Sequence, residues 1–188
     1  MNVNIEMTEI DGALVVAPDL FQDARGFFQE AFRTDEFSKK SLPTQFYQLN
    51  HSGSVKDTVR GLHFQWEPPM GKLMRVIRGT AFLVAVDLRK DSPTLGKHIT
   101  KVLSADDRKW LWAPASFARG FAVLSDFAEI EYLTTGIYSS IGESGIRWND
   151  PAIGVKWPVS DPILSAKDTT AQTLAEWLAR PESENFKL

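Results

Sequence analysis

The sequence predicts an all-β fold of antiparallel strands, either closed on itself or stacked as two sheets. Three observations predict it. Short runs that are apolar or alternate polar with apolar recur along the chain, and turn signals separate them at roughly the 8–12-residue spacing of a sandwich or barrel. No segment before residue 165 sustains a helical period. A long series of strands also leaves edges that must be paired or covered, which favours closure or a double sheet. The 188 residues, 43% hydrophobic and 24% charged, suffice for one domain over 1–188 with its own core.

Residues 3–32 read as short strands. Ala13-Leu14-Val15-Val16-Ala17 is an apolar run closed by Pro18-Asp19. Asp23-Ala24-Arg25-Gly26 turns the chain into a strand over Phe27–Phe32. Thr34-Asp35-Glu36-Phe37 starts a short helix with Thr34 as its cap, and Pro43 stops it. Phe46–Ser52 is the next strand, ended by Ser52-Gly53-Ser54. Arg60–Gln65 follows, then the loop Trp66-Glu67-Pro68-Pro69-Met70-Gly71. Lys72–Thr80 and Ala81–Leu88 read as adjacent strands, and Pro93-Thr94-Leu95-Gly96 turns into Lys97–Leu103. Trp110–Pro114, Ala118–Leu124 and Ala128–Thr135 continue the series. One stretch, Ala171–Leu178, carries a convincing helical pattern.

Composition excludes several function classes. A net charge of −3 offers no basic footprint for nucleic acid. With no cysteine there are no disulfides, no thiolate chemistry and no cysteine-ligated metal. The start Met-Asn-Val-Asn-Ile-Glu-Met lacks the character of a signal peptide, and no apolar run approaches the ~20 residues of a membrane span. The expected location is the cytoplasm, with no membrane partner.

Arg60-Gly61-Leu62-His63-Phe64-Gln65 places a titratable histidine inside a strand. Alternation puts Gly61, His63 and Gln65 on one face and Arg60, Leu62 and Phe64 on the other. Such a histidine serves as a proton carrier, a metal ligand or a hydrogen-bonded core residue, and residue type alone leaves all three open.

Several segments together carry a resemblance. They are Asp23-Ala24-Arg25-Gly26-Phe27-Phe28-Gln29-Glu30, Gln48-Leu49-Asn50-His51-Ser52, Arg60–Gln65, Gly71-Lys72-Leu73 and Val86-Asp87-Leu88-Arg89. Trp112-Ala113-Pro114, Tyr132-Leu133-Thr134-Thr135, Gly145–Pro151 and Leu164-Ser165-Ala166-Lys167-Asp168 continue the set. In this order, from about residue 10 to 170, the sequence resembles the dTDP-4-dehydrorhamnose 3,5-epimerases. The resemblance implies a cupin-like jelly-roll, a homodimer, no metal and no cofactor. It implies a substrate, dTDP-4-keto-6-deoxyglucose, whose carbons 3 and 5 are inverted on either side of the ketone, in rhamnose synthesis.

That chemistry needs a base for the acidic hydrogen, a cation or donor at the ketone oxygen, and an acid on the opposite face. The resemblance makes His63 the base and Asp168 the carboxylate behind it. Read alone, Asp168 passes for a helix cap before Thr169. Lys72 would hold the oxygen, and Tyr132 would return the proton. Alternation sets Tyr132 with Ile130 and Thr134, away from Glu129 and Glu131, as it would for a core tyrosine; Tyr138 is a competitor. Arg25, Glu30, Gln48, Asn50, Arg60, Glu143 and Lys167 would contact the nucleotide sugar, arginine suiting pyrophosphate through its planar fork. A regular strand separates Arg60 from His63, so shared duty requires a twist, a bulge at Gly61 or a long reach.

The chain departs from the family pattern at two places. Arg119, in Phe117-Ala118-Arg119-Gly120-Phe121, stands where the family usually has a histidine near the sugar, and Leu49 replaces a usual aspartate. Arginine is larger and always charged, so Arg119 bears on sugar specificity or outcome. Other readings are a single-carbon epimerase on a different nucleotide sugar and a non-catalytic sugar-nucleotide-binding cupin. A metal cupin is disfavoured, since the three histidines His51, His63 and His98 form no His-x-His pair.

Overall fold

A computed structural model describes residues 2–187. Thirteen strands run in chain order. They are β1 (Val3–Met7), β2 (Leu14–Pro18), β3 (Leu20–Asp23), β4 (Gly26–Gln29), β5 (Gln48–Val55), β6 (Val59–Gln65) and β7 (Lys72–Arg78). The series continues with β8 (Thr80–Asp87), β9 (His98–Ser104), β10 (Trp110–Ala113), β11 (Phe117–Val123), β12 (Phe127–Thr134) and β13 (Glu143–Gly145). Three short helices, α1 (Thr34–Lys39), α2 (Ala166–Thr169) and α3 (Leu174–Ala179), precede a 3-10 turn over Pro181–Phe186. The strands form a six-stranded sheet ordered β1-β2-β10-β7-β12-β5 and a five-stranded sheet ordered β13-β6-β11-β8-β9. All of their strand pairings are antiparallel, as a jelly-roll requires.

Strand alternation distributes the apolar residues over three cores. Inward side chains of both sheets, among them Val15, Met74, Leu83, Phe117, Phe121 and Ile130, fill the space between them. The outer face of the five-stranded sheet presents Leu62, Phe64, Val84 and Val86, which Trp177 of α3 and Phe186 of the 3-10 turn cover. The outer face of the six-stranded sheet presents Val16, Leu73, Trp110 and Trp112 against Phe37 of α1 and Leu42. Each such large side chain, fully buried, contributes about 1.5–3 kcal/mol. β11 is buried on both faces along its whole length, which explains its continuous small and apolar sequence.

Tertiary packing changes several expected boundaries. α1 is capped by the backbone of Arg33, while Thr34 is its first helical residue and makes no cap. The strand expected to end at Ser52-Gly53-Ser54 continues to Val55, because Gly53 pairs with Glu129 and leaves room for the Phe127 ring. The strand over Phe27–Phe32 stops at Gln29. Lys72–Arg78 and Thr80–Asp87 are consecutive but lie in opposite sheets, so they are neighbours in sequence and not in a ladder. The helix expected over Ala171–Leu178 begins three residues later, as α3 at Leu174. Gln172 bridges to Ile146, and Thr173 opens α3 with a capping box to Glu176. The short strand β13 was not expected.

Candidate active site

His63 projects inward from β6, while Leu62 and Phe64 point into the outer core. The Arg60 tension is resolved by a bulge. His63 pairs with Arg119, but Arg60 pairs with Phe121, so β6 carries one residue more than β11 over this interval. Gly61 occupies the bulge at φ +135°, and a side chain there would meet the Gly120 Cα at 2.6 Å. The extra residue turns Arg60 to the same side as His63, and both line one cavity of about 210 Å³. Ser52, Lys72, Met74, Arg119, Ile130 and Tyr132 also line it.

α2 brings Asp168 to His63 across 105 residues of sequence. Ser165 caps the helix by accepting from the Asp168 N–H at 3.1 Å, so Asp168 is inside the first turn and is not itself the cap. Its buried carboxylate lies 2.5 Å from His63 Nε2. Burial would raise the Asp168 carboxyl, but hydrogen bonds from His63, Ser165 and the Gly61 backbone outweigh it and hold it below its ordinary value. An ionised carboxylate only accepts, so Nε2 carries the ring proton and Nδ1 is left as the acceptor nitrogen.

The six-stranded sheet supplies the opposite wall. Lys72 and Met74 of β7, Tyr132 of β12, and Gln48, Asn50 and Ser52 of β5 face inward together by register. Lys72 Nζ sits 4.9 Å from the Tyr132 ring centroid. Burial, followed by the charge of Arg119, pushes the Lys72 ammonium down to about 8. Burial pushes the Tyr132 phenol up, so it stays protonated at neutral pH.

An adjoining hollow joins His63 to Gln48, Asn50, Met70, Tyr138 and Glu143. There Glu143 pairs with Lys167 at 2.5 Å and accepts from the Tyr138 hydroxyl at 2.9 Å. Burial raises the Glu143 carboxyl, but Lys167 and Tyr138 pull it below its usual range. Tyr138 is exposed at the rim, whereas Tyr132 is at the wall. Leu49 points outward, 56% exposed, so that departure lies off the cavity. Among the described residues, no three of His, Asp or Glu gather as a metal-ligand set.

Two expected site residues stand apart. Arg25 is at the tip of the β3–β4 hairpin, 90% exposed and paired with Asp23, and Glu30 pairs with Arg33. Neither borders a hollow that His63 borders. Sequence reasoning passed over Ser165, whose Ser-x-x-Asp spacing is a capping signal, and Gly120, whose missing side chain lets the bulge close.

A family model described as dTDP-4-dehydrorhamnose 3,5-epimerase matches residues 7–176. The chain is 46% identical over 177 residues to the dTDP-4-dehydrorhamnose 3,5-epimerase of Escherichia coli strain K12, covering 93% of this chain and 96% of that one. It superposes with a TM-score of 0.91 on dTDP-6-deoxy-D-glucose-3,5-epimerase from Legionella pneumophila in complex with dTDP-4-keto-L-rhamnose, at 37% identity over 97% of each chain. A 3'-monoepimerase from Streptomyces bikiniensis in complex with dTDP-quinovose superposes with a TM-score of 0.86 at 30% identity, covering 91% of this chain and 88% of that one.

Proposed function

Because the chain belongs to the dTDP-4-dehydrorhamnose 3,5-epimerase family, we propose that it epimerises a dTDP-linked 4-keto-6-deoxy sugar by proton transfer beside the ketone. It is an isomerase, and the reaction needs no cofactor. The observation that carries the mechanism is the His63–Asp168 pair opening onto a cavity that Lys72 and Tyr132 also line.

A hydrogen beside a ketone is acidic because the charge it leaves spreads onto the carbonyl oxygen. His63 takes that hydrogen on Nδ1, and Asp168 stabilises the imidazolium that results. The Lys72 ammonium meets the charge that develops on the oxygen. Tyr132, kept protonated by burial, returns a proton to the other face of the carbon. Arg60, Gln48, Asn50, Glu143 and Lys167 surround this centre with donors and charges for the nucleotide and pyrophosphate.

Arg25 and Glu30 enter the same reading through a second copy. The β3–β4 hairpin pairs with no other strand among the described residues and exposes Phe21, Phe27 and Phe28. In a homodimer it reaches the partner's cavity and brings Arg25 with it. A cytoplasmic location belongs to the same proposal and rests on the composition.

The test is incubation with dTDP-4-keto-6-deoxyglucose in D2O, with the deuterium located by NMR. Deuterium at carbons 3 and 5 with inversion is the expected result. Label at carbon 3 alone makes the chain a single-carbon epimerase, an outcome that Arg119 motivates. No label at either carbon defeats the reading in favour of a binding protein.

A further inference from the structure

Arg119 is 3% exposed and points into the space between the sheets, beside Phe117 and Phe121 of the same strand. Its Nη2 donates to the carbonyls of Met70 and Pro114, each at 2.5 Å, and to that of Ala113 at 3.5 Å. Its Nε and Nη1 are buried with no hydrogen-bond partner. Among the described residues no carboxylate pairs with it, and burial pushes it down to about 9, so it remains a cation at neutral pH. Arg119 lines the cavity, and its Nε and Nη1 are buried there.

Lys72 lies beside this charge. Arg119 Nη2 bonds the carbonyl of Met70, two residues before Lys72, and that of Ala113, which pairs with Lys72 across β10 and β7, and Arg119 and Lys72 line the same cavity. The other ionisable groups around Lys72 are Tyr132 on β12, Arg60 and His63 on β6, Glu143 on β13 and Lys167 on α2. His63 is tied to Asp168, and Lys167 is tied to Glu143, so each of those charges has a nearby counter-charge. Arg60 is bonded to the neutral Ser54 hydroxyl, and Tyr132 is uncharged. Arg119 is the charge whose effect on Lys72 is largest after burial itself.

We propose that Arg119 is a positioning residue that acts through Lys72: a buried cation beside Lys72, unpaired among the described residues, that makes Lys72 a stronger donor to the oxygen of the reacting ketone. This rests on the reading of Lys72 as the oxygen partner. Two like charges in a medium of low polarity repel strongly, and the lysine, the more weakly basic of the two, yields. A donor of lower proton affinity gives a stronger hydrogen bond to a developing oxyanion, at the cost of losing its proton at mildly alkaline pH. The chain thereby gains a pH sensitivity that a neutral histidine at position 119 would not produce.

The experiment is an NMR titration of lysine 13Cε signals in the intact protein, the Lys72 signal being assigned with Lys72→Arg. Wild type is expected to titrate near pH 8. In Arg119→Met the midpoint rises by about half a pH unit or more, the order expected on removing one nearby like charge. It stays below 10.5, because burial persists. Arg119→His, neutral at that pH, gives the same direction and serves if the methionine variant does not fold. The alkaline limb of kcat/KM moves up with the midpoint. An unchanged Lys72 midpoint in either folded variant overturns the proposal. The titration reads Lys72 without turnover, so absence of isomerase activity defeats the proposed function and leaves this test standing.

Discussion

His63→Asn removes the proposed base and leaves a side chain of similar shape. The expected outcome is a loss of solvent exchange by about 10²–10⁴-fold, the usual worth of a positioned general base, with dTDP affinity within a few-fold of wild type. Exchange near the wild-type rate, measured by deuterium wash-in, would remove His63 from the base role. Tyr132→Phe tests the proposed division of the reaction between two faces. The ring and its contact with Lys72 remain, while the proton is lost. Deuterium should still wash into the substrate, but inverted product should fall by at least about 10²-fold. Equal loss of exchange and inversion would contradict the division of labour. At this scale the pH optimum also has a source. In the proposed mechanism Lys72 must be protonated to meet the oxyanion, so activity is expected to fall as pH rises through about 8, as a pH–rate profile would show.

At the scale of the element, the site depends on an irregularity in β6. A regular strand would send Arg60 to the outer face, where Leu62 and Phe64 lie. The bulge at Gly61 recovers Arg60 for the cavity, and it closes because two glycines, Gly61 and Gly120, meet without side chains. Gly61→Ala places a methyl group 2.6 Å from the Gly120 Cα and forces a positive φ on an L-residue. We expect destabilisation of about 1–3 kcal/mol, read from denaturant midpoints, and a raised KM from a displaced Arg60. A variant as stable as wild type with unchanged KM would show that β6 accommodates the side chain without moving Arg60. α2 plays the matching part for Asp168. A helix of four residues holds one carboxylate against the ring because Ser165 caps it and the His63 bond pins it.

At the scale of the whole molecule, the β3–β4 hairpin pairs with no other strand among the described residues. Complementation tests whether a second copy supplies its partner. Arg25→Ala should raise KM for the nucleotide sugar several-fold, since it removes a cation suited to pyrophosphate. His63→Asn should be inactive. If the hairpin acts in trans, mixing the two variants rebuilds one intact site per hybrid dimer, and activity rises above the sum of the separate proteins. No rise on mixing, under conditions where light scattering shows subunit exchange, places Arg25 in its own chain's site. A monomer at micromolar concentration would end the dimer proposal directly.

The sequence by itself determined the all-β class, most strand positions and the inward face of β12, because alternation and turn residues are local properties read within a few residues. It also marked Lys72, Tyr132 and His63, through motifs whose order resembles one family. Its local signals misjudged what packing decides. Thr34 looked like a cap, and a helix looked to start at Ala171, yet Arg33 takes the first role and the Gln172–Ile146 bridge holds the chain extended until α3 opens at Leu174. Only the tertiary structure decided that Lys72–Arg78 and Thr80–Asp87 part into opposite sheets, since sheet partners are chosen by shared burial and not by adjacency. Only it brought Asp168 to His63, turned Arg60 inward and buried Arg119 at the cavity. Each of these depends on contacts between residues far apart in the chain, and no local pattern of side chains encodes a distance across the fold.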